Sequence, residues 1–223
     1  MGKNEPLNRR AEETSDRTER SGNIAWHNSK VTTDERAILH RQNAATIWLT
    51  GFSASGKSTI AYELERRFHD LGHASYVLDG DNIRHGLSAD LGFSPESRRE
   101  NIRRIAEVAK LFNDAGVVVI TAFISPYRED RAMARDILGP ARFLETYLAA
   151  DIAVCERRDP RGLYRRARSG EISDFTGISA PYEAPDNPTI KLDTGVLSVE
   201  ETVLEVLNAV LPRLRNGHAT AMS

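Results

Sequence analysis

The chain has 223 residues and carries 30 lysines and arginines against 32 aspartates and glutamates. That length holds one α/β domain with a sizeable core, and the near-balance of charge argues against a nucleic-acid or other polyanion partner. Cys155 is the single cysteine, so an internal disulfide is excluded, and no apolar run is long enough to span a bilayer. The first residues mix Glu12, Glu13 and Asp16 with Arg9, Arg10 and Arg17 and have no apolar signal core, which points to a cytoplasmic chain. Residues 1 to about 21 are polar and charged and are expected to be disordered. Ile24, Ala25, Trp26 and His27 come next, and then a helix predicted from Thr33 to Arg41 with Thr33 as its cap. Because Trp26 is costly to expose, the segment 22–45 is expected to pack on the domain or on a second subunit.

Thr46-Ile47-Trp48-Leu49-Thr50 is a short apolar, β-branched run that reads as a buried strand. It leads into Gly51-Phe52-Ser53-Ala54-Ser55-Gly56-Lys57-Ser58-Thr59, which has the spacing G-x-x-x-x-G-K-[ST] of the phosphate-binding P-loop. Two glycines let the backbone turn several N–H groups toward phosphate oxygens. Lys57 is placed to reach the β- and γ-phosphates of ATP, and Ser58 to offer its hydroxyl to Mg²⁺. Ile60, Leu64 and Phe68 then recur at helical spacing. Strand, loop and helix in this order put a helix N-terminus at the anion.

Ala74–Leu78 is predicted as the second strand, ending in Asp79-Gly80-Asp81-Asn82. Ser94-Pro95-Glu96 opens a helix with a cap, a first-position proline and an early acid, and the helix is expected to run to about Asp114. Val117–Phe123 is apolar throughout, as in a parallel strand covered on both faces, and ends in Ile124-Ser125-Pro126. A helix to about Leu138 and a strand over Phe143–Leu148 follow. Next comes a basic stretch with Arg157, Arg158, Arg161, Arg165, Arg166 and Arg168. It is expected to be mobile and without regular structure, with Pro181, Pro185 and Pro188 breaking the chain after it. A short fifth strand over Thr189–Asp193 and an amphipathic helix from Ser198 to Leu214 close the domain, leaving 215–223 as a flexible tail. The result is an α/β domain over residues 46–214, with a doubly wound, mostly parallel five-stranded sheet, helices on both faces and ligands at the carboxyl ends of the strands.

The loop alone specifies a nucleoside triphosphate. A GTPase would show an Asn-Lys-x-Asp motif, which is absent, and a Walker-type ATPase would end Val117–Phe123 in an acid rather than in Ser125-Pro126. The acids instead are Asp79 and Asp81, where they can serve an acceptor hydroxyl as well as the metal. Arg84, Arg98, Asn101, Ser125, Phe93 and Phe175 fall in or beside strand-end loops. Arginines there imply an anionic acceptor, and the two phenylalanines offer faces for a planar base. Another small-molecule kinase, and a nucleotide-binding subunit without turnover, stay open on these grounds.

Further stretches narrow the choice. Leu78-Asp79-Gly80-Asp81-Asn82-Ile83-Arg84-His85-Gly86-Leu87, Leu91-Gly92-Phe93-Ser94, Glu100-Asn101-Ile102-Arg103-Arg104, Phe123-Ile124-Ser125-Pro126-Tyr127-Arg128, Cys155-Glu156-Arg157-Arg158-Asp159 and Phe175-Thr176-Gly177-Ile178 occur in order. Together with the P-loop, and with Asn23-Ile24 and Trp26-His27, they resemble the adenylyl-sulfate kinase (APS kinase) family over about residues 23 to 210. The resemblance implies transfer from ATP to the 3′-hydroxyl of adenylyl sulfate, with Mg²⁺. It implies Asp81 as the group that orients or deprotonates the hydroxyl, and Arg84, Arg98, Asn101 and Ile124 as acceptor contacts. Phe93 and Phe175 would sandwich the adenine, a lid over about 157–180 would close the site, and Ser125 carries the family's label of a phosphoserine intermediate. It further implies a homodimer and raises a sulfurylase as a partner. Two departures stand out: Phe52, Ala54 and Ser55 replace the usual loop residues, and Ser173 stands where the family has a lysine, with Arg168 as the candidate replacement.

Overall fold

The computed structural model describes residues 24, 25 and 27–215. The expectations for residues 1–21, for Trp26 and for 216–223 lie outside the described residues. Residues up to Thr32 form one unit and those from Thr33 another. In the first unit, the described residues have no regular structure, and Val31 N donates to Ser29 Oγ at 3.2 Å.

The second unit begins with α1 (Thr33–His40), which carries Asp34 and Glu35 in its first turn, where acids complement the helix dipole. Next come β1 (Thr46–Thr50), α2 (Lys57–Asp70), β2 (Ser75–Asp79) and α3 (Gly80–Arg84), then α4 (Pro95–Asp114), β3 (Val118–Ala122), α5 (Arg128–Leu138) and β4 (Phe143–Leu148). The domain closes with α6 (Ile152–Arg158), α7 (Leu163–Arg168), β5 (Ile190–Leu192) and α8 (Val199–Leu214). Ser94 caps α4 through its side chain, with Pro95 at the first position, and Ser198 and Glu201 form a reciprocal capping box on α8.

The sheet order is β2-β3-β1-β4-β5, and every pairing is parallel where a mostly parallel sheet was expected. Alternation along β1 divides the core. Ile47 and Leu49 join Ile60, Leu64 and Phe68 of α2 and Val203, Val206 and Val210 of α8 on one face. Trp48 and Val119 join Ile102, Ile105 and Ala109 of α4 and Ala134 and Leu138 of α5 on the other. The stretch expected to lack regular structure contains the end of α6 and all of α7. Asp151 and Asp159 fix their first turns, and Tyr164, Cys155 and Phe175 form a small third core beneath them.

At the amino ends of the strands, buried Gln42 donates from Nε2 to Ala74 O and Gly116 O, both at 2.9 Å, and accepts from Ala74 N at 3.0 Å. Beside it, Asn43 N donates to Leu214 O at 2.8 Å, and Gln42 and Arg215 form an antiparallel bridge. At the opposite, carboxyl ends lie the P-loop, Asp79 and Ile124-Ser125.

Candidate active site

The P-loop hangs from the end of the central strand. Gly51 lies at φ +150°, and a Cβ there would meet Leu148 O at 2.6 Å, so the position excludes other residues. Gly56, at φ +98°, precedes α2 without a side-chain cap, which leaves the helix's opening amides to an anion. The loop's carbonyls are held from several sides. Lys57 Nζ donates to Gly51 O (2.9 Å) and Phe52 O (2.6 Å), Tyr164 Oη to Ser53 O (3.0 Å), and Thr194 Oγ1 to Ser55 O (2.8 Å). Ala54 occupies a left-handed conformation at φ +59°, which costs an L-residue about 1–2 kcal/mol, but its methyl packs on the third core and recovers about 0.8 kcal/mol. Burial pushes the Lys57 ammonium down to about 8, and nearby Arg161 adds to that, against the upward pull of Cys155, Asp79 and Asp81.

Asp79, buried at the end of β2, is fully engaged. Its Oδ1 accepts from Asp81 N (3.0 Å) and Asn82 N (3.4 Å), starting α3, and its Oδ2 accepts from Ser58 Oγ at 2.6 Å. This pairing orients the hydroxyl of Ser58 at the mouth of the loop. Among the described residues no cluster of three or more His, Cys, Asp or Glu side chains could hold a metal by itself. A hydroxyl backed by a carboxylate fits Mg²⁺, which takes one or two protein oxygens and fills its shell with phosphates and water. Asp81, more than half exposed, lines the cleft and pairs with Arg161.

Across the cleft stands a cationic wall. Arg84 is anchored on Leu91 O and Gly92 O, both at 3.0 Å, with its guanidinium 4.3 Å from the Phe93 ring centre. Arg98 lies 5.7 Å from the same ring and donates to Phe93 O (2.9 Å) and Asp174 O (2.8 Å). Burial, and then the neighbouring Arg98 charge, push the Arg84 guanidinium below its ordinary value. Two crowded, partly desolvated cations gain from an anion placed between them. Asn101 Oδ1 is buried without a partner among the described residues, an acceptor left for a ligand. Ser125 takes a left-handed φ of +40° and accepts from Trp48 Nε1 at 3.2 Å, while Thr50 Oγ1 donates to Ile124 O at 2.7 Å. Strained residues of this kind concentrate where a site demands them.

Ser53, Ala54, Gly56, Lys57, Ser58 and Thr59 share one cleft of about 430 Å³ with Asp79, Asp81, Arg84, Phe93, Arg98, Asn101, Ile124 and Ser125. Gly51, Phe52 and Ser55 are not in its lining. Phe175 is not in the lining: it is 9% exposed and packs edge-on against Tyr164, ring centres 5.0 Å apart. Arg168 is also outside it, bound by both carboxylate oxygens of Glu156 at 2.5 and 2.9 Å. The arginine of the 157–168 run that does enter is Arg161, with Asp159 and Pro160 beside it. In the sequence it was one arginine of a run, and no spacing marked it out.

Comparisons with known proteins find close relatives of the whole fold. A family model described as adenylylsulphate kinase matches residues 43–193. An adenylyl-sulfate kinase of Staphylococcus carnosus is 55% identical over 188 residues, 84% of this chain and 94% of that protein. One of Vibrio cholerae is 54% identical over 191 residues, 86% and 89% of the respective chains. A solved Mycobacterium tuberculosis APS kinase, in complex with AMPPNP and APS, is 47% identical with a TM-score of 0.74, covering 76% of this chain and 98% of its own. A phosphate loop on the central strand of a parallel sheet, facing acids and an acceptor wall, defines a P-loop kinase that phosphorylates an alcohol group. Within that class, the chain belongs to the adenylylsulphate kinase family.

Proposed function

We propose that the chain transfers the γ-phosphoryl group of ATP to the 3′-hydroxyl of adenylyl sulfate, giving ADP and 3′-phosphoadenylyl sulfate for sulfate assimilation. One observation carries the reading: the P-loop, the acids after β2 and the cation-and-aromatic wall line a single cleft. The loop amides and Lys57 hold the triphosphate. Arg84, Arg98 and Asn101 hold the anionic acceptor, with Phe93 against its adenine. The acceptor oxygen bonds to the γ-phosphorus as the bond to the bridging oxygen breaks, and its proton passes to the Asp81 carboxylate. Most of the acceleration comes from positioning and charge stabilisation. Mg²⁺, when bound at Ser58 with Asp79 behind it, neutralises charge on the phosphoryl oxygens. Phe175 reaches the adenine only if the segment over about 157–180 moves as a lid, which would also exclude water.

Ser125 serves in this reading as a substrate-binding hydroxyl. Among the described residues no base hydrogen-bonds to it, as an attacking serine would need; its hydroxyl accepts from the Trp48 indole. Losing one neutral hydrogen bond to the substrate costs about 1 kcal/mol, so Ser125→Ala should slow turnover by no more than about fivefold. Complete loss in steady-state assays would restore the covalent route.

The same reading includes a cytoplasmic homodimer and a sulfurylase as partner, which light scattering and co-purification test. No helix among the described residues is long and apolar enough to cross a membrane. The deciding assay couples ADP release to added acceptor. Turnover with adenylyl sulfate but not with AMP or gluconate is expected; the reverse would assign another kinase activity.

A further inference from the structure

Behind the P-loop, the third core contains a phenol that phosphoryl transfer itself does not require. Tyr164 is fully buried, and its hydroxyl donates to Ser53 O inside the loop. The turn leading into Tyr164 is fixed from its other end by Asp159, whose carboxylate accepts from Leu163 N at 2.7 Å and Tyr164 N at 3.0 Å. Between these anchors stands Arg161, reaching across the cleft to Asp81. Its charge is also among those that lower the Lys57 ammonium. Arg161 and Asp81 are more than half exposed, and such pairs add little to stability, so folding alone does not account for the contact.

We propose that Tyr164 is a positioning residue: its bond to Ser53 fastens the 159–164 turn to the P-loop and thereby holds Arg161 over the gap between Lys57 and Asp81, where the phosphoryl group crosses. The proposal rests on the kinase reading above. Arg161 exchanges Asp81 for the phosphoryl oxygens as charge spreads over them, which frees the carboxylate to take the acceptor's proton. Tyr164 and Arg161 therefore act as one unit.

A double-mutant cycle in the full chain, with ATP and adenylyl sulfate saturating, tests this. Arg161→Ala should lower kcat by about 100-fold or more, with partial recovery in Arg161→Lys. Tyr164→Phe keeps the ring packed and should lower kcat by about tenfold, with both KM values little changed. The double variant should be no slower than Arg161→Ala alone. Losses that multiply, a Tyr164→Phe enzyme with normal kcat, or a loss confined to the KM for ATP would each overturn the proposal. Asp159→Asn loosens the same turn from its other end; it should show the same non-additivity and stands in if Tyr164→Phe does not fold. Failure of the unmodified chain to use adenylyl sulfate would instead defeat the underlying kinase reading.

Discussion

Replacing Asp81 by asparagine is expected to lower kcat by about 10²–10⁴ while leaving nucleotide affinity nearly intact. The substitution keeps the size of the side chain and removes its ability to take a proton. The local fold should tolerate it, because the carboxylate that starts α3 belongs to Asp79. The lost partner, Arg161, is an exposed ion pair worth about 0–1 kcal/mol, so the thermal midpoint should barely move. Calorimetric titration with a non-hydrolysable ATP analogue, beside an ADP-release assay, separates the two effects. A variant that turns over normally would remove Asp81 from the mechanism and leave Asp79 as the base.

Lys57→Ala should cost at least about 3 kcal/mol of transition-state stabilisation, a rate loss above about 100-fold. Its ammonium is buried against the loop carbonyls of Gly51 and Phe52. The pH dependence follows from the value of about 8. Below it the side chain is charged and ready for a triphosphate, and above it binding must first take up a proton. Affinity for the ATP analogue should therefore be steady up to pH 7 and roughly tenfold weaker at pH 9. Lys57→Met should lack that dependence. Stability runs the other way: between about 8 and 10.5 the unfolded chain binds more protons at this residue, so its contribution to stability rises with pH. A shallow affinity profile in the unmodified chain would contradict the assigned reach of Lys57.

The parts of the molecule that local chemistry dictates were legible in the sequence. Thr46–Thr50 reads as a buried strand, Val117–Phe123 as a strand covered on both faces, and the P-loop spacing marks a nucleoside triphosphate site. Ser94-Pro95-Glu96 marked a helix start that the structure places at Pro95. What stayed hidden depends on distant partners. The run from Arg157 to Arg168 has little apolar periodicity, and its helices stand on aspartate caps and on packing between Tyr164, Cys155 and Phe175. Phe175 was read as a stacking surface because it is aromatic and near a loop, yet it fills this small core. Arg161 and Arg168 look alike in the chain. Glu156 binds one and Asp81 the other, and only the fold decides which arginine enters the cleft.

The seam between Asn43 and Leu214 has a practical consequence. The stretch from β1 to α8 begins and ends side by side, at the pole away from the chemistry. The domain can therefore be handled as a cassette, spliced into a loop of a host protein through two adjacent junctions. It can equally be circularly permuted, by bridging residues 42 and 215 with a short tether and opening new ends elsewhere, while the phosphate cradle keeps its shape.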